Sequence, residues 1–309
     1  MTASSSDRIA LSFELFPAKD DVAGAGIRRC VKTLMPLNPR FFSVTYGANG
    51  AVRDRTIKTI RDLRSEQVNA PVAGHLTCAG GSRAEVLDIA RSYESAGARW
   101  VVALRGDGDG GAGSAFAVHP DGFASSPDLV SSLRSETTLR IAVAGYPEAH
   151  PDSRGQAADI EHLKRKVDAG ADSIVTQFFF ENETFFRYVE AVRKAGIDVP
   201  VVPGIMPIRD FDKVGAFARK CGTSIPTRLA ERFAKAKERG ATRELALAVS
   251  AGQCDELRDE GVRAFHFYTL NDAALTLGTC QALGLDPANP VDGGGIDHDT
   301  DKLPEPIRA

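Results

Sequence analysis

The segment Arg99 to Asp107 holds a near-continuous apolar run, Trp100 to Leu104, that ends abruptly in Arg105, Gly106 and Asp107. Such a run has the pattern of a strand buried on both faces, delivering a cation and a carboxylate to the carboxyl edge of a sheet. A glycine- and aspartate-rich stretch, Gly108 to Gly113, follows. The same two charges are also compatible with a plain ion pair at a strand end. A second carboxylate, Glu14, lies among Ser12, Phe13, Leu15 and Phe16. Strand alternation puts Ser12, Glu14 and Phe16 on one face and Phe13 and Leu15 on the other. Poor solvation there raises a carboxyl pKa and suits Glu14 to act as an acid. An arginine or lysine paired with it inside the fold would cancel that effect.

Other strand ends add polar groups. Thr45 and Tyr46 precede a glycine-bearing loop and suit the edge of a planar polar ligand, or an ordinary turn. His75 reads as a structural histidine or a catalyst, and Cys78 as packing. Tyr146 and His150, interleaved with Pro147 and Pro151, imply a stiff loop presenting an aromatic face and an imidazole. Asp159, His162 and Lys166 are spaced by three and four residues and share a helix face. Cations there, Lys164 and Arg165 included, would neutralise a phosphate, and Asp159 would hold a ribose hydroxyl; a solvated charged face has the same spacing. Gln177 precedes Phe178, Phe179 and Phe180, offering an amide beside stacking surface or a core segment. No HExxH, GxSxG or phosphate-loop motif is present.

These groups need a scaffold that gathers strand ends. Apolar or β-branched runs recur at Ile9–Phe16, Phe41–Tyr46, Pro71–Thr77, Trp100–Leu104, Leu139–Ala144, Ser173–Phe178, Val199–Gly204 and Ala264–Tyr268. Helical spacing fills the gaps: Ile57, Ile60 and Leu63, then Val86, Ile89 and Ala90, then Ile160, Leu163 and Val167. Gly97 and Gly170 stand where helices should stop. Eight strands alternating with helices predict a single-domain α/β fold, the (β/α)8 TIM barrel, over residues 9–285. An open doubly wound sheet would show glycines after its first strand, and Glu14 to Ala18 has none. The longest gap, Met206 to Arg263, predicts helices at Asp210–Cys221, Pro226–Lys237 and Arg243–Glu260, and Asp272–Leu283 closes the ring. Residues 1–8 read as a disordered start and 286–309, rich in Pro, Gly and Asp, as a flexible tail.

The 309 residues are 43% hydrophobic and 26% charged, ordinary for a globular chain. A net charge of -3 and a pI of 6.1 argue against a nucleic-acid surface or a polybasic membrane patch. No run approaches the roughly 20 apolar residues of a membrane span. Met1 to Arg8 lacks the apolar segment of a secretory signal. Five scattered cysteines without a CxxC suggest reduced thiols in a cytoplasm rather than a disulfide frame or a zinc site.

Taken in order, Ser12–Pro17, Phe42–Asn49, His75–Cys78, Ala103–Asp107, Tyr146–Pro151, Leu163–Ala171, Thr176–Phe180, Pro203–Pro207 and His266–Asn271 resemble the catalytic domain of the methylenetetrahydrofolate reductase family, in its short bacterial form. The resemblance implies bound FAD and reduction of 5,10-methylenetetrahydrofolate to 5-methyltetrahydrofolate by NADH or NADPH. Hydride would pass through flavin N5 in a ping-pong cycle. It implies Glu14 as general acid, Asp107 as the carboxylate beside flavin and pterin, and Gln177 bonding folate and nicotinamide in turn. Phe217 would contact the folded nicotinamide cofactor. Thr45, His75, Arg105, Gly106, Tyr146, His150, Asp159 and Lys166 would contact FAD, with Tyr46 and Asp107 beside them. A homo-oligomer is also implied. The alternatives are a relative that works without flavin or on a partner's electrons, and a non-catalytic folate- or flavin-binding barrel. The chain departs from the family pattern at Ala18, at Phe123, in the longer segment Gly108 to Asp121, and at Asp272, where arginine is common.

Overall fold

The computed structural model describes residues 9–46, 50–66, 68–106 and 116–285. Asp107, the expected disordered start 1–8 and the expected tail 286–309 lie outside them. Eight parallel strands close in sequence order into one barrel. They are β1 (Ala10–Leu15), β2 (Phe41–Val44), β3 (Val72–Thr77), β4 (Trp100–Leu104), β5 (Arg140–Gly145), β6 (Ser173–Phe178), β7 (Val201–Ile205) and β8 (Ala264–Tyr268). The (β/α)8 expectation holds.

Helices α1 (Asp21–Leu34), α2 (Gly50–Ser65), α3 (Arg83–Ser95), α4 (Ser126–Glu136), α5 (Gln156–Asp168) and α6 (Asn182–Lys194) link successive strands. The long gap holds α7 (Phe211–Cys221), α8 (Thr227–Glu238) and α9 (Thr242–Asp259), and α10 (Ala273–Ala282) follows β8. Each lies within two residues of its expected bounds. Gly97 and Gly170 end α3 and α5 at φ of 90° and 114°, a backbone region that favours glycine. Strand ends differ by a residue or two for local reasons. Phe16 leaves the ladder because its N–H donates to Asn271 Oδ1 at 2.9 Å.

Strand alternation builds two cores. One face of each strand packs outward on the helices through residues such as Phe13, Leu15, Phe42, Val101, Ile141 and Phe267. The other fills the barrel's amino-terminal half with Phe41, Ala73, Trp100, Val102, Ala142, Val175 and Val202. The guanidinium carbons of Arg40 and Arg140 lie 5.1 and 4.9 Å from the Trp100 ring centre. With the floor filled, open space remains at the carboxyl end of the strands, where barrel enzymes work.

Gly74 has a specific role in this packing. A Cβ there would sit 2.3 Å from the Tyr93 ring, whose hydroxyl donates to His75 O at 2.8 Å. We predict that Gly74→Ala lowers stability by about 1–3 kcal/mol, the usual range for overpacking, in a urea melt.

Candidate active site

The inward face of β1 carries Ser12 and Glu14, and that of β3 carries His75. The β8 inward face adds His266 and Tyr268, paired in register with Ser12 and Glu14. Glu14 Oε2 lies 3.5 Å from His75 Nε2, and that buried nitrogen makes no hydrogen bond within the chain. Among the described residues, no arginine or lysine joins them as an ion-pair partner. Burial pushes the Glu14 carboxyl up to about 8 and His75 down to about 4. Both groups are therefore neutral near pH 7: a carboxylic acid facing an imidazole. Behind them Ser12 Oγ meets His266 Nδ1 at 2.8 Å, and burial, then the nearby His75, holds His266 down to about 3.

Tyr268 crosses the barrel mouth and donates to Thr176 O at 2.8 Å. It fits because position 204 is glycine: a Cβ there would lie 2.6 Å from its ring. Phe178 stands at 6.0 Å from Tyr268 and stacks on Phe217 of α7 at 5.6 Å. Gln177, next to Phe178, uses Oε1 to accept from Phe178 N at 3.2 Å, a bond that does not engage its amide nitrogen. Of the three phenylalanines, Phe179 is core, packed on Phe185, and Phe178 is buried in a second apolar cluster with Met206, Val214 and Ala218, which Phe180 joins at its edge. The core reading of that triplet is the one that applies.

A cavity of about 220 Å³ lies beside the mouth, between the ends of β4 and β5 and helix α5. Arg105, Tyr146, His150, Asp159 and Lys166 all line it. The helix face at three-and-four spacing points inward, since Lys166 is only 5% exposed. Lys164, off that face, is solvated and pairs with Asp168. Lys166 Nζ donates to Ala144 O at 2.8 Å, and burial lowers its pKa to about 8. The His150 ring rests edge-on against Tyr146 at 4.8 Å, and the His150 backbone N–H donates to Asp159 Oδ2 at 2.5 Å. Arg105 pairs with Asp152 at 2.7 Å and lies over Phe116. Gly106 takes φ of 85° against Thr77, where a Cβ would come within 2.8 Å.

Thr45 holds the end of β2 to β1 and α2: its N–H donates to Leu15 O and its carbonyl accepts from Thr56. Tyr46 packs against the core between strands and helices. Phe123 is fully buried beneath Arg83. Asp272 caps α10 through Ala274 N and pairs with Arg209 at 3.1 Å.

Ser126, Asp152 and Tyr188 also line the cavity and escaped the sequence reading. Asp152 follows the His150-Pro151 motif directly, which was a usable signal. Tyr188 comes from α6 and approaches because Gly145 has no Cβ to meet its hydroxyl. Nothing in the sequence joins those two positions.

A methylenetetrahydrofolate reductase family model matches residues 1–284. The chain belongs to the methylenetetrahydrofolate reductase family. It is 40% identical to the 5,10-methylenetetrahydrofolate reductase of Escherichia coli (strain K12) over 91% of this chain and 92% of that protein. It is 33% identical to methylenetetrahydrofolate reductase (NADH) 1 of Zea mays, over 92% of this chain and 50% of that longer protein. Among solved structures, a protein from Clostridium thermocellum described as binding two copies of 5-methyl-5,6,7,8-tetrahydrofolic acid aligns with a TM-score of 0.61. That likeness, at 12% identity over 90% of this chain and 96% of the other, concerns the fold. Family membership makes the chain an oxidoreductase, and no helix among the described residues is long and apolar enough to cross a membrane.

The buried acid has a measurable consequence for this reductase fold. Glu14 binds its proton more tightly folded than unfolded, so the folded state loses relative stability as pH rises from about 4.5 to about 8. Glu14→Gln removes that penalty. We predict a melting-temperature difference, variant minus wild type, that grows across this window and is flat above it.

Proposed function

We propose that the chain reduces 5,10-methylenetetrahydrofolate to 5-methyltetrahydrofolate with NADH or NADPH through bound FAD. The observation that carries the reading is a protonated Glu14 at the mouth of the barrel, beside a polar cavity that holds a buried lysine. Lys166 is stripped of solvent, and an incoming phosphate would restore the setting in which its charge is favoured. Arg105 adds a second cation, and Asp159 and Ser126 offer groups for ribose hydroxyls. The buried His75 Nε2, 3.5 Å from Glu14 Oε2, has no hydrogen-bond partner within the chain. These features fit a flavin dinucleotide, with Gly106 admitting close approach of backbone. Tyr146 and His150 supply an aromatic wall. Bound there, FAD would supply the hydride relay, through its N5, between the nicotinamide and the folate.

The chain's own residues govern the proton. The five-membered ring of the folate must open before it can accept hydride. Glu14 donates its proton to N10, the N10–methylene bond breaks, and the methylene carbon becomes an iminium on N5. Hydride then converts that carbon to methyl. Near pH 7 the acid is already loaded, because burial keeps its pKa at about 8. Gln177 is placed to hydrogen-bond the pterin and, in the other half-cycle, the nicotinamide amide. Phe217, exposed and backed by the buried Phe178, offers stacking surface for whichever ring enters. Asp107 is proposed, on the family resemblance, as the carboxylate that holds the cationic folate. One mouth serving both substrates gives a ping-pong cycle. Five free cysteines, four of them buried, fit a reducing compartment such as the cytoplasm.

The test is an anaerobic titration in two halves. Purified protein should be yellow, bleach with NADH or NADPH, and regain colour with methylenetetrahydrofolate. Protein that stays colourless after loading with FAD sinks the reading. Glu14→Gln should keep the bleaching step and lose the recolouring step by about 10²-fold or more. In the wild type, the recolouring rate should fall as pH rises through about 8, since only protonated Glu14 can donate. A stopped-flow series from pH 6 to 9, roughly centred on that value, reads this directly.

A further inference from the structure

The proposed reaction accounts for the pterin end of the substrate and leaves its other end unassigned. A folate carries a p-aminobenzoyl ring and a glutamate tail beyond the pterin. With the pterin at Glu14 and Gln177, the tail must leave over the rim of the barrel. Only four large apolar side chains are exposed among the described residues, and two are aromatic groups on that rim. Phe16 (45% exposed) follows β1, and Phe217 (40% exposed) stands on the helix after β7. In ring order, the loop after β8 lies between them.

That rim section holds one well-supported guanidinium. Arg209, between β7 and α7, reaches across to Asp272, with Nη1 to Oδ2 at 3.1 Å. Asp272 is 19% exposed and fixed, since its other oxygen caps α10 through Ala274 N at 3.0 Å. The preceding residue is fixed as well. Asn271, at φ of 58°, accepts from Phe16 N at 2.9 Å and donates to Phe16 O at 3.2 Å. Arg209 itself is 67% exposed. An ion pair with so open a partner contributes little to folding. It does orient the guanidinium: Nη1 is engaged by Asp272, and the side chain stays two-thirds exposed, in the loop after β7 that leads into the helix bearing Phe217. A planar donor fork held this way matches a carboxylate in two-point geometry.

We infer that Arg209, oriented by Asp272, is the specificity residue that binds the glutamate-tail carboxylate of the folate substrate. This inference rests on the proposed reaction. Its ligand is a carboxylate on a flexible chain, attached to an aromatic ring that passes between Phe16 and Phe217.

The test compares two substrates on FAD-loaded holoenzyme: methylenetetrahydrofolate and the corresponding pteroate, which lacks the glutamate. Arg209→Ala should raise KM for the folate about tenfold, the usual cost of a charge-assisted bond, with kcat within about twofold. It should leave KM for the pteroate unchanged. Arg209→Lys should fall between, since it keeps the charge and loses the fork. Equal effects on both substrates, or no effect on either, overturn the inference. So does a raised KM for NADH in the bleaching half-reaction with folate binding intact, which would assign the cation to the nicotinamide cofactor's phosphates. Equilibrium binding of 5-methyltetrahydrofolate and of its pteroate counterpart to wild type and Arg209→Ala separates this result from the reaction itself. A tail-dependent loss of affinity upholds Arg209 even where turnover fails, and a tail-independent one refutes it.

Discussion

A carboxylic acid and an imidazole face each other uncharged across 3.5 Å at the throat of the barrel, and much of the interior serves to keep them so. Burial keeps each of them neutral, and a cation beside Glu14 would instead favour its carboxylate. The barrel does contain cations, but they sit at its floor. Arg40 and Arg140 lie against Trp100, and a layer holding Ser12 and His266 separates them from Glu14. In that layer the polar groups satisfy one another without carrying charge. A guanidinium placed one layer higher would pull the carboxyl back towards its ordinary range and unload the acid.

The strand ends around this throat are secured by a repeated device. Three strand glycines each admit a tyrosine: Gly74 with Tyr93, Gly145 with Tyr188, and Gly204 with Tyr268. In two of them the tyrosine hydroxyl donates to a strand carbonyl, Tyr93 to His75 and Tyr268 to Thr176. Tyr188 is bonded to the backbone of Tyr146. Each contact falls at or beside a residue that faces the mouth or the cavity. Rigid strands thus reach their functional ends already braced, and less of the positioning is left to loops.

This device shows where sequence reading succeeds and where it stops. The strands were legible because buried parallel strands are apolar runs of fixed length, and the helices because their apolar faces repeat and end in glycine. Glu14 was legible as a raised-pKa acid from Phe13, Leu15 and Phe16 alone, although the group that faces it, His75, comes from another strand. The inward turn of Asp159, His162 and Lys166 was left open, since spacing gives a shared face but not what the face meets. Arg105 was expected to pair with Asp107 or water at a strand end, or to meet a ligand. Among the described residues it pairs with Asp152, from a loop that chain order does not bring near, while Asp107 lies outside them. The tyrosines were invisible for the same reason: a glycine in a strand announces close approach, but not by which side chain.

Charge is partitioned across the mouth in a way that single residues do not reveal. Lys166, Arg105 and Arg165 cluster on the β4–β5 side, whereas Glu14 sits across the barrel on β1. No cation lowers the Glu14 pKa, and burial alone raises it. An anionic cofactor and a protonated acid make opposite demands on their surroundings. The first requires positive charge, and the second requires its absence. A barrel meets both because each strand end is an independent position on one ring. Phosphate-binding cations can occupy one arc, a neutral acid another, and an aromatic wall the space between. Merging the arcs would cost either the proposed phosphate site or the proton. The separation is therefore a requirement of the chemistry, and a closed ring of parallel strands satisfies it with short side chains and little backbone strain.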